Sequence, residues 1–326
     1  MVKLAIAGFG NIGKVHLANL SSMRGCSVVG IFDTNSDAMR TADPSVRRYR
    51  DLAELTGDPE VDAVVIATPS NAHAAVVRSA LAADKHIFVE KPLAATLAES
   101  QEIVDAAAAK KGLRAQAGFC ERFNPQYLEA KRAVSSGVLG ELRAIQTSRV
   151  APYSLSNPAW DLGVLDTAVH NLDLILWLKG QAPRSVYAFG AQVYSDSDIP
   201  HSVTTILRFD DGSIATDQIA WIKDDAHPLH QCARSTMSLQ GTRGTFDIDL
   251  TSRPSTLLTD ESYSQIDSVI LGGPEYYSCL KLQFEAFLRS VEDGAAVLAP
   301  LDDALLAERV VLAAAESLRT GNQVLL

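Results

Sequence analysis

The apolar run Val2–Ala7, VKLAIA, breaks into Gly8-Phe9-Gly10-Asn11-Ile12-Gly13 and then into a helical pattern, and no other feature of this chain constrains its fold as tightly. In such a loop the first glycine permits a tight turn and the second lets the backbone approach a pyrophosphate. The third allows the following helix to pack closely on the strand, and the helix N-terminus attracts phosphates. The next apolar run, VVGIFD, ends in Asp33, 20 residues beyond Gly13. A carboxylate at that point accepts hydrogen bonds from an adenosine ribose diol. Asp33 also repels a 2′-phosphate, and Thr34 and Asn35 follow where an Arg often stands in NADP-binding proteins. NAD is therefore preferred to NADP, unless Arg40, Arg47 or Arg48 folds back toward the site.

Up to about residue 120 the chain alternates β-branched runs with helical stretches, the pattern of βαβ units around a doubly wound parallel sheet. The strands are expected at Val2–Ala7, Ser27–Asp33, Ala63–Ala67, His86–Glu90 and Arg114–Ala117, and the helices at Ile12–Met23, Ala72–Ala83 and Leu97–Lys110. After Phe123 the pattern changes to one helix, Gln126–Ser135, and then to strands with period-two alternation at Leu142–Arg149, Ser185–Tyr194, Val203–Phe209, Ser213–Trp221, Ser235–Gln240 and Thr245–Leu250. Asp210-Asp211-Gly212 is a hairpin signal between two of them. Two helices, about Tyr276–Val291 and Asp302–Arg319, follow. The expectation is an α/β Rossmann domain over 1–120 and an α+β domain with a large, mostly antiparallel open sheet over 121–326, which serves substrate binding and oligomerisation. A chain of 326 residues exceeds what one core usually serves.

The 39 acidic and 29 basic residues give a net charge of −10, which argues against a nucleic-acid partner. No apolar run is long enough to span a bilayer, and the glycine loop begins at residue 8, leaving no room for a leader; the chain reads as cytoplasmic. Cys26, Cys120, Cys232 and Cys279 lack metal-ligand spacing and read as reduced, mostly buried thiols.

Three further segments carry chemistry. ATPSNAH, residues 67 to 73, ends a strand of the first sheet; Thr68, Pro69 and Asn71 are expected to line the cofactor crevice, with Asn71 capping the next helix. His73 reads as a buried structural histidine or a direct contact. Glu90-Lys91-Pro92 closes the run His86–Val89, which puts a cation at a strand's carboxyl end, where ligands bind in open α/β sheets; alone it could equally be a solvated loop charge. In GVLDTAVHNLDLILWL, Asp166 and His170 share one helix face, with Asp173 beyond them. An ordinary amphipathic helix, or a metal site on Asp166, His170 and Asp173, would show the same spacing; neither a Cys nor a second His cluster supports a metal, and none is expected. Arg122, Phe123 and Asn124 lie just after the domain crossover, and Tyr153, Asn157 and Trp160 precede the Asp–His helix; both groups are placed to meet a substrate. His201, His227 and His230 read as structural or exposed.

Together GFGNIG, ATPSNAH, VEKPLA, GFCERFNP at 118 to 125 and D-x-x-x-H-x-x-D make the whole chain resemble the Gfo/Idh/MocA oxidoreductases. The resemblance implies catalysis by Lys91, Asp166 and His170, and a cofactor site of Gly8–Gly13, Asp33, Thr68, Pro69, Glu90 and Lys91. It also implies a homodimer or homotetramer formed through the face of the C-terminal sheet. His170 would take a hydroxyl proton, Lys91 would stabilise alkoxide charge, and Asp166 would orient a neighbouring hydroxyl. The substrate would be a polyhydroxylated small molecule: a sugar, a nucleotide sugar or a cyclitol. ERFNP and DLGVLDTAVHNLDL look most like dehydrogenases acting on the 3-position of UDP-N-acetylglucosamine-type sugars. Asp161-Leu162-Gly163-Val164-Leu165 departs from the family's glycine stretch at that point. Two other readings stay open: a non-catalytic NAD-responsive regulator, and an NAD-dependent glycosidase of the same fold.

Overall fold

The computed structural model describes residues 1–152, 162–193, 200–222, 234–250, 253–259, 263–266 and 276–326. The chain forms two units: Met1–Phe123 with Tyr277–Leu305, and Asn124–Tyr276 with Leu306–Leu326.

In the first unit the buried apolar runs become β1 (Val2–Ala7), β2 (Cys26–Phe32), β3 (Arg47–Arg48), β4 (Ala63–Ile66), β5 (His86–Val89) and β6 (Ala115–Ala117). Between them lie α1 (Asn11–Ser21), α2 (Ser36–Arg40), α3 (Leu52–Gly57), α4 (Ser70–Ala82) and α5 (Leu97–Ala109). The sheet order is β3-β2-β1-β4-β5-β6 and every pairing is parallel. Chain order reverses between β1 and β4, the switch point at which doubly wound sheets leave a crevice. Polar side chains set the helix starts: Thr96 accepts the Glu99 N–H before α5, and Asp51 accepts the Glu54 N–H before α3. The core of this unit includes Leu4, Ile6, Val65 and Phe88 and is completed from far along the chain by Phe284, Phe287 and Leu288. The Phe88 ring lies 4.6 Å from that of Phe284 and 5.9 Å from that of Phe287.

The second unit holds α6 (Pro125–Ser135), β7 (Leu142–Pro152), α7 (Leu165–Lys179) and β8 (Ser185–Ala191), followed by β9 (Ser202–Arg208), β10 (Ile214–Ile222), β11 (Arg234–Gly241), β12 (Gly244–Asp249), β13 (Arg253–Thr259) and β14 (Tyr263–Ile266). Helix α8 (Tyr276–Asp293) then runs with the first unit, α9 (Leu301–Thr320) begins in the first and ends in the second, and β15 (Val324–Leu325) closes the chain. The nine strands order as β14-β13-β12-β11-β7-β10-β9-β8-β15. All neighbours are antiparallel except β7 and β10, which pair in parallel with Ile214 opposite Ala144. The Asp210-Asp211-Gly212 turn joins β9 to β10 with Gly212 at φ +78°. Alternation sends Ile145, Ala215, Ile219 and Leu239 to the buried face, against which α7 packs. The other face carries Gln146, Thr204, Thr216, Gln218 and Ser238, with Phe189 and Ile214 52% and 46% exposed. Cys26, Cys120 and Cys279 are buried thiols, and Cys232 lies outside the described residues. Among those residues no helix is long and apolar enough to cross a membrane.

Candidate functional site

At the mouth of β1 each glycine of the loop meets a distinct steric demand. Gly8 sits at φ +96° and donates its N–H to the Phe32 carbonyl at 2.8 Å. A Cβ there would fall 2.4 Å from Ala67 C and Thr68 N, so the loop after β1 lies against the loop after β4 at the switch point. A Cβ on Gly13 would stand 2.1 Å from the Gly8 carbonyl oxygen, which is how α1 comes down onto the turn. Gly10, the N-cap of α1, is different: a Cβ on it meets nothing within 4 Å among the described residues. The first-turn N–H groups of a helix have no intrahelical acceptor, and α1 has no acidic side chain in its first turn and no side-chain cap. Open space over exposed donors at a positive helix end suits a diphosphate.

Asp33, just past β2, borders the same loop. Its Oδ2 accepts the Phe9 N–H at 2.6 Å and its Oδ1 accepts the Asn35 N–H at 2.7 Å. A carboxylate has about four lone-pair sites, so two remain for a ribose diol. Thr34 beside it is exposed. Asn35 caps α2 through the Asp37 and Ala38 N–H groups. The nearby arginines have partners of their own: Arg40 pairs with Asp37, Arg47 with Asp58 and Glu60, and Arg48 donates to the carbonyls of Met39 and Ala42. With no cation turned toward Asp33 in those contacts, the residues fit NAD.

The loop after β4 differs from the sequence expectation in one respect. Helix α4 starts at Ser70 with Pro69 at its N-cap, so Asn71 lies inside the first turn and does not cap it. Proline's fixed φ, −57° here, sets the chain for helix entry. Asn71 is exposed, whereas His73 is buried, its Nε2 2.8 Å from the Thr68 carbonyl and its Nδ1 3.1 Å from the Leu93 carbonyl. The ring thus braces the β4 loop against the loop after β5. Burial pushes the His73 pKa below its ordinary value, opposed by the Thr68 and Leu93 carbonyls.

Glu90 and Lys91 follow β5, next to β4, and the Lys91–Pro92 peptide is cis. Glu90 Oε2 accepts the Lys91 N–H at 3.2 Å, and Oε1 lies 2.7 Å from Nε2 of His16 on α1. Nothing in the spacing of the sequence marks His16; its only local signal is a histidine on the inward face of the helix that follows the glycine loop. Beyond β6, Arg122 is 1% exposed and binds Asp303 at 2.6 Å and the Leu298 carbonyl at 3.0 Å. Phe123 is buried in the same turn.

In the second unit Asn124 is buried and caps α6 through the Gln126 N–H. Asp166 is buried in the first turn of α7, His170 is partly exposed one turn on, and Asp173 is buried. Asn171 fixes the helix against the sheet: its Nδ2 donates to Asp217 Oδ1 at 2.7 Å and its Oδ1 accepts from Arg149 Nε at 2.9 Å. Thr147 Oγ1 donates to the same Asp217 oxygen at 2.8 Å. Desolvation raises the Asp217 pKa to about 6, against the pull of Asn171, Thr147 and Arg149. Tyr153, Asn157, Trp160, His227 and His230 lie outside the described residues; His201 is buried.

Residues 2–119 match an oxidoreductase family with an NAD-binding Rossmann fold, and residues 127–247 match the GFO/IDH/MocA C-terminal domain. The chain is 30% identical to the uncharacterized oxidoreductase YrbE of Bacillus subtilis, over 98% of this chain and 95% of that one. It is 36% identical to the inositol 2-dehydrogenase of Acidothermus cellulolyticus, over 57% of this chain and 56% of that one. Among solved structures, the scyllo-inositol dehydrogenase from Lactobacillus casei with bound NAD(H) and scyllo-inositol superposes with a TM-score of 0.83 at 22% identity, covering 100% of this chain and 99% of that chain.

Proposed function

The chain belongs to the GFO/IDH/MocA family of NAD-dependent oxidoreductases acting on CH–OH groups, and from that premise we propose that it oxidises a secondary hydroxyl of a cyclitol, with sugars and nucleotide sugars as the competing substrate classes. The observation that carries the reading is the gathering of Gly8–Gly13, Asp33, Thr68 and Lys91 at the carboxyl ends of adjacent parallel strands β1, β2, β4 and β5. Two points favour a cyclitol over a nucleotide sugar. Full-length and partial relatives are named inositol dehydrogenases. Arg122, the cation of the ERFNP segment, is buried and ion-paired with Asp303, and a diphosphate would need a cation to meet it.

When bound, NAD supplies the hydride acceptor. The glycine loop and the α1 N-terminus would hold its diphosphate, and Asp33 its adenosine ribose. His170 is the proposed base for the hydroxyl proton, since imidazoles titrate close to neutrality. Lys91 stabilises the negative charge developing on the oxygen. Asp166 accepts a hydrogen bond from a neighbouring hydroxyl, which fixes the ring. The polar sheet face that exposes Phe189 and Ile214 is the proposed contact with a second copy, in a homodimer or homotetramer.

Mixing the protein with NAD and a panel of inositols, sugars and nucleotide sugars, and following absorbance at 340 nm, tests the reading. NADH should form with an inositol. His170→Ala and Lys91→Ala should each lower kcat about 10²–10⁴-fold and leave NAD binding, measured by calorimetry, within a few-fold. NAD binding without any absorbance change across the panel would replace this reading with a regulator or a glycosidase that regenerates its own cofactor.

A further inference from the structure

We infer that His16 is a positioning residue for Lys91: through the Glu90 carboxylate it ties the helix that opens at the glycine loop to the Glu90-Lys91-Pro92 turn. The inference rests on the catalytic part proposed for Lys91.

Three features of the contact carry it. His16 is 0% exposed, and its ring stands edge-on to Phe284 and Phe88, with centroids 4.9 and 5.9 Å away and interplanar angles of 89° and 81°. Between these aromatic walls the imidazole sits with Nε2 on Glu90 Oε1 at 2.7 Å. The carboxylate is gripped from two more sides. Its Oε2 takes the Lys91 N–H at 3.2 Å, and a Cβ on Gly118 would come within 2.8 Å of that oxygen, so the backbone after β6 passes close against the carboxylate. Finally, His16 Nδ1 is enclosed and has no hydrogen-bond partner among the described residues, where Glu90 is the polar group the ring meets.

Burying an imidazole beside a carboxylate costs desolvation free energy that a Leu of similar size would avoid. Stability alone therefore does not account for a polar pair here; orientation does. Helix α1 presents its N-terminus to the diphosphate and, two turns on, its His16 to Glu90. Cofactor docking and the placement of Lys91 thus become one mechanical unit, and a displacement of about 1 Å at a reacting group can cost about 10²-fold in rate.

The test uses the full-length protein with NAD and the best polyol of the panel above. His16→Ala should lower kcat about 10–100-fold while the NAD dissociation constant stays within about 3-fold. His16→Gln, which keeps a donor, should recover at least half of that loss on a logarithmic scale. His16→Leu should restore the melting temperature lost in His16→Ala but not kcat. In a double-mutant cycle, His16→Ala with Glu90→Ala should be no slower than Glu90→Ala alone. Additive losses, or recovery of kcat by Leu, would assign His16 to packing and overturn the inference. A second readout needs no turnover: acetylation of the Lys91 amine by sulfosuccinimidyl acetate, followed by mass spectrometry. NAD should slow it in the wild type and protect at least fivefold less in His16→Ala; equal protection in both overturns the inference. If no polyol is oxidised yet protection differs, the proposed reaction fails and the His16–Glu90 link stands.

Discussion

The Asp33 carboxylate accepts the Phe9 and Asn35 N–H groups, which fixes its direction beside the glycine loop and leaves the lone pairs proposed to take a ribose diol. Hydrogen bonds to a charged acceptor contribute about 1.5–3 kcal/mol. Asp33→Asn should therefore weaken NAD binding about 10–100-fold and narrow the gap to NADP; calorimetric titration with each dinucleotide checks this. NADP should not become the tighter ligand, since Arg40, Arg47 and Arg48 keep their own partners. The turn of Gly8, Gly10 and Gly13 with Asp33 beside it was legible in the sequence because the demands of such a loop on backbone shape are local and fall within one βαβ unit. His16 was not legible. Its partner Glu90 is 74 residues away, and only the pairing of β1, β4 and β5 brings the two together.

Helix α7 shows what one element needs in order to present Asp166 and His170. The helix reads clearly from its periodicity and ends at Gly180, φ +71°. What the sequence did not disclose is that Asn171, beside His170, hangs on Asp217 of β10 and Arg149 of β7. Asp217 is fully buried and its pKa is raised to about 6. A raised pKa means that the folded state holds the proton more tightly than the unfolded chain. The stabilisation is fully present below the unfolded value of about 3.9 and is lost as pH rises through about 6. Between pH 4 and 7 this group should remove up to about 3 kcal/mol of stability. Asp217→Asn should flatten that slope in urea unfolding followed at a series of pH values; an unchanged slope would mean Asp217 does not titrate there. Of the elements missed by pattern reading, α2, α3 and β3 are short and β14 and β15 lie at sheet edges, while β13 runs seven residues between β12 and β14. A two-residue strand such as β3 has no period to detect, and the N-cap at Pro69 was hidden by the stronger capping chemistry of Asn71.

For the molecule as a whole, the first unit is not continuous in the chain. Phe284, Phe287 and Leu288 of α8 complete the core around Phe88, and removing a buried Phe side chain typically costs about 3–5 kcal/mol. Two such losses rival the total stability of a domain, about 5–15 kcal/mol. A fragment of residues 1–123 should therefore lack a cooperative urea transition and bind a hydrophobic dye, whereas the same fragment joined through a flexible linker to 277–305 should regain the transition. That dependence is invisible in a sequence, where the hydrophobic face of α8 fits any neighbour. The parallel pair at the centre of the second sheet carries a kinetic consequence. β7 is made early but waits for β10, whose Asp217 lies 70 residues beyond Thr147. A parallel pair needs a crossover, and closing so distant a contact precedes any gain from it. During synthesis β7 must therefore remain an unpaired edge until the β9–β10 hairpin emerges, and the ribosome-bound intermediate, rather than the finished enzyme, is the form of this protein most exposed to aggregation.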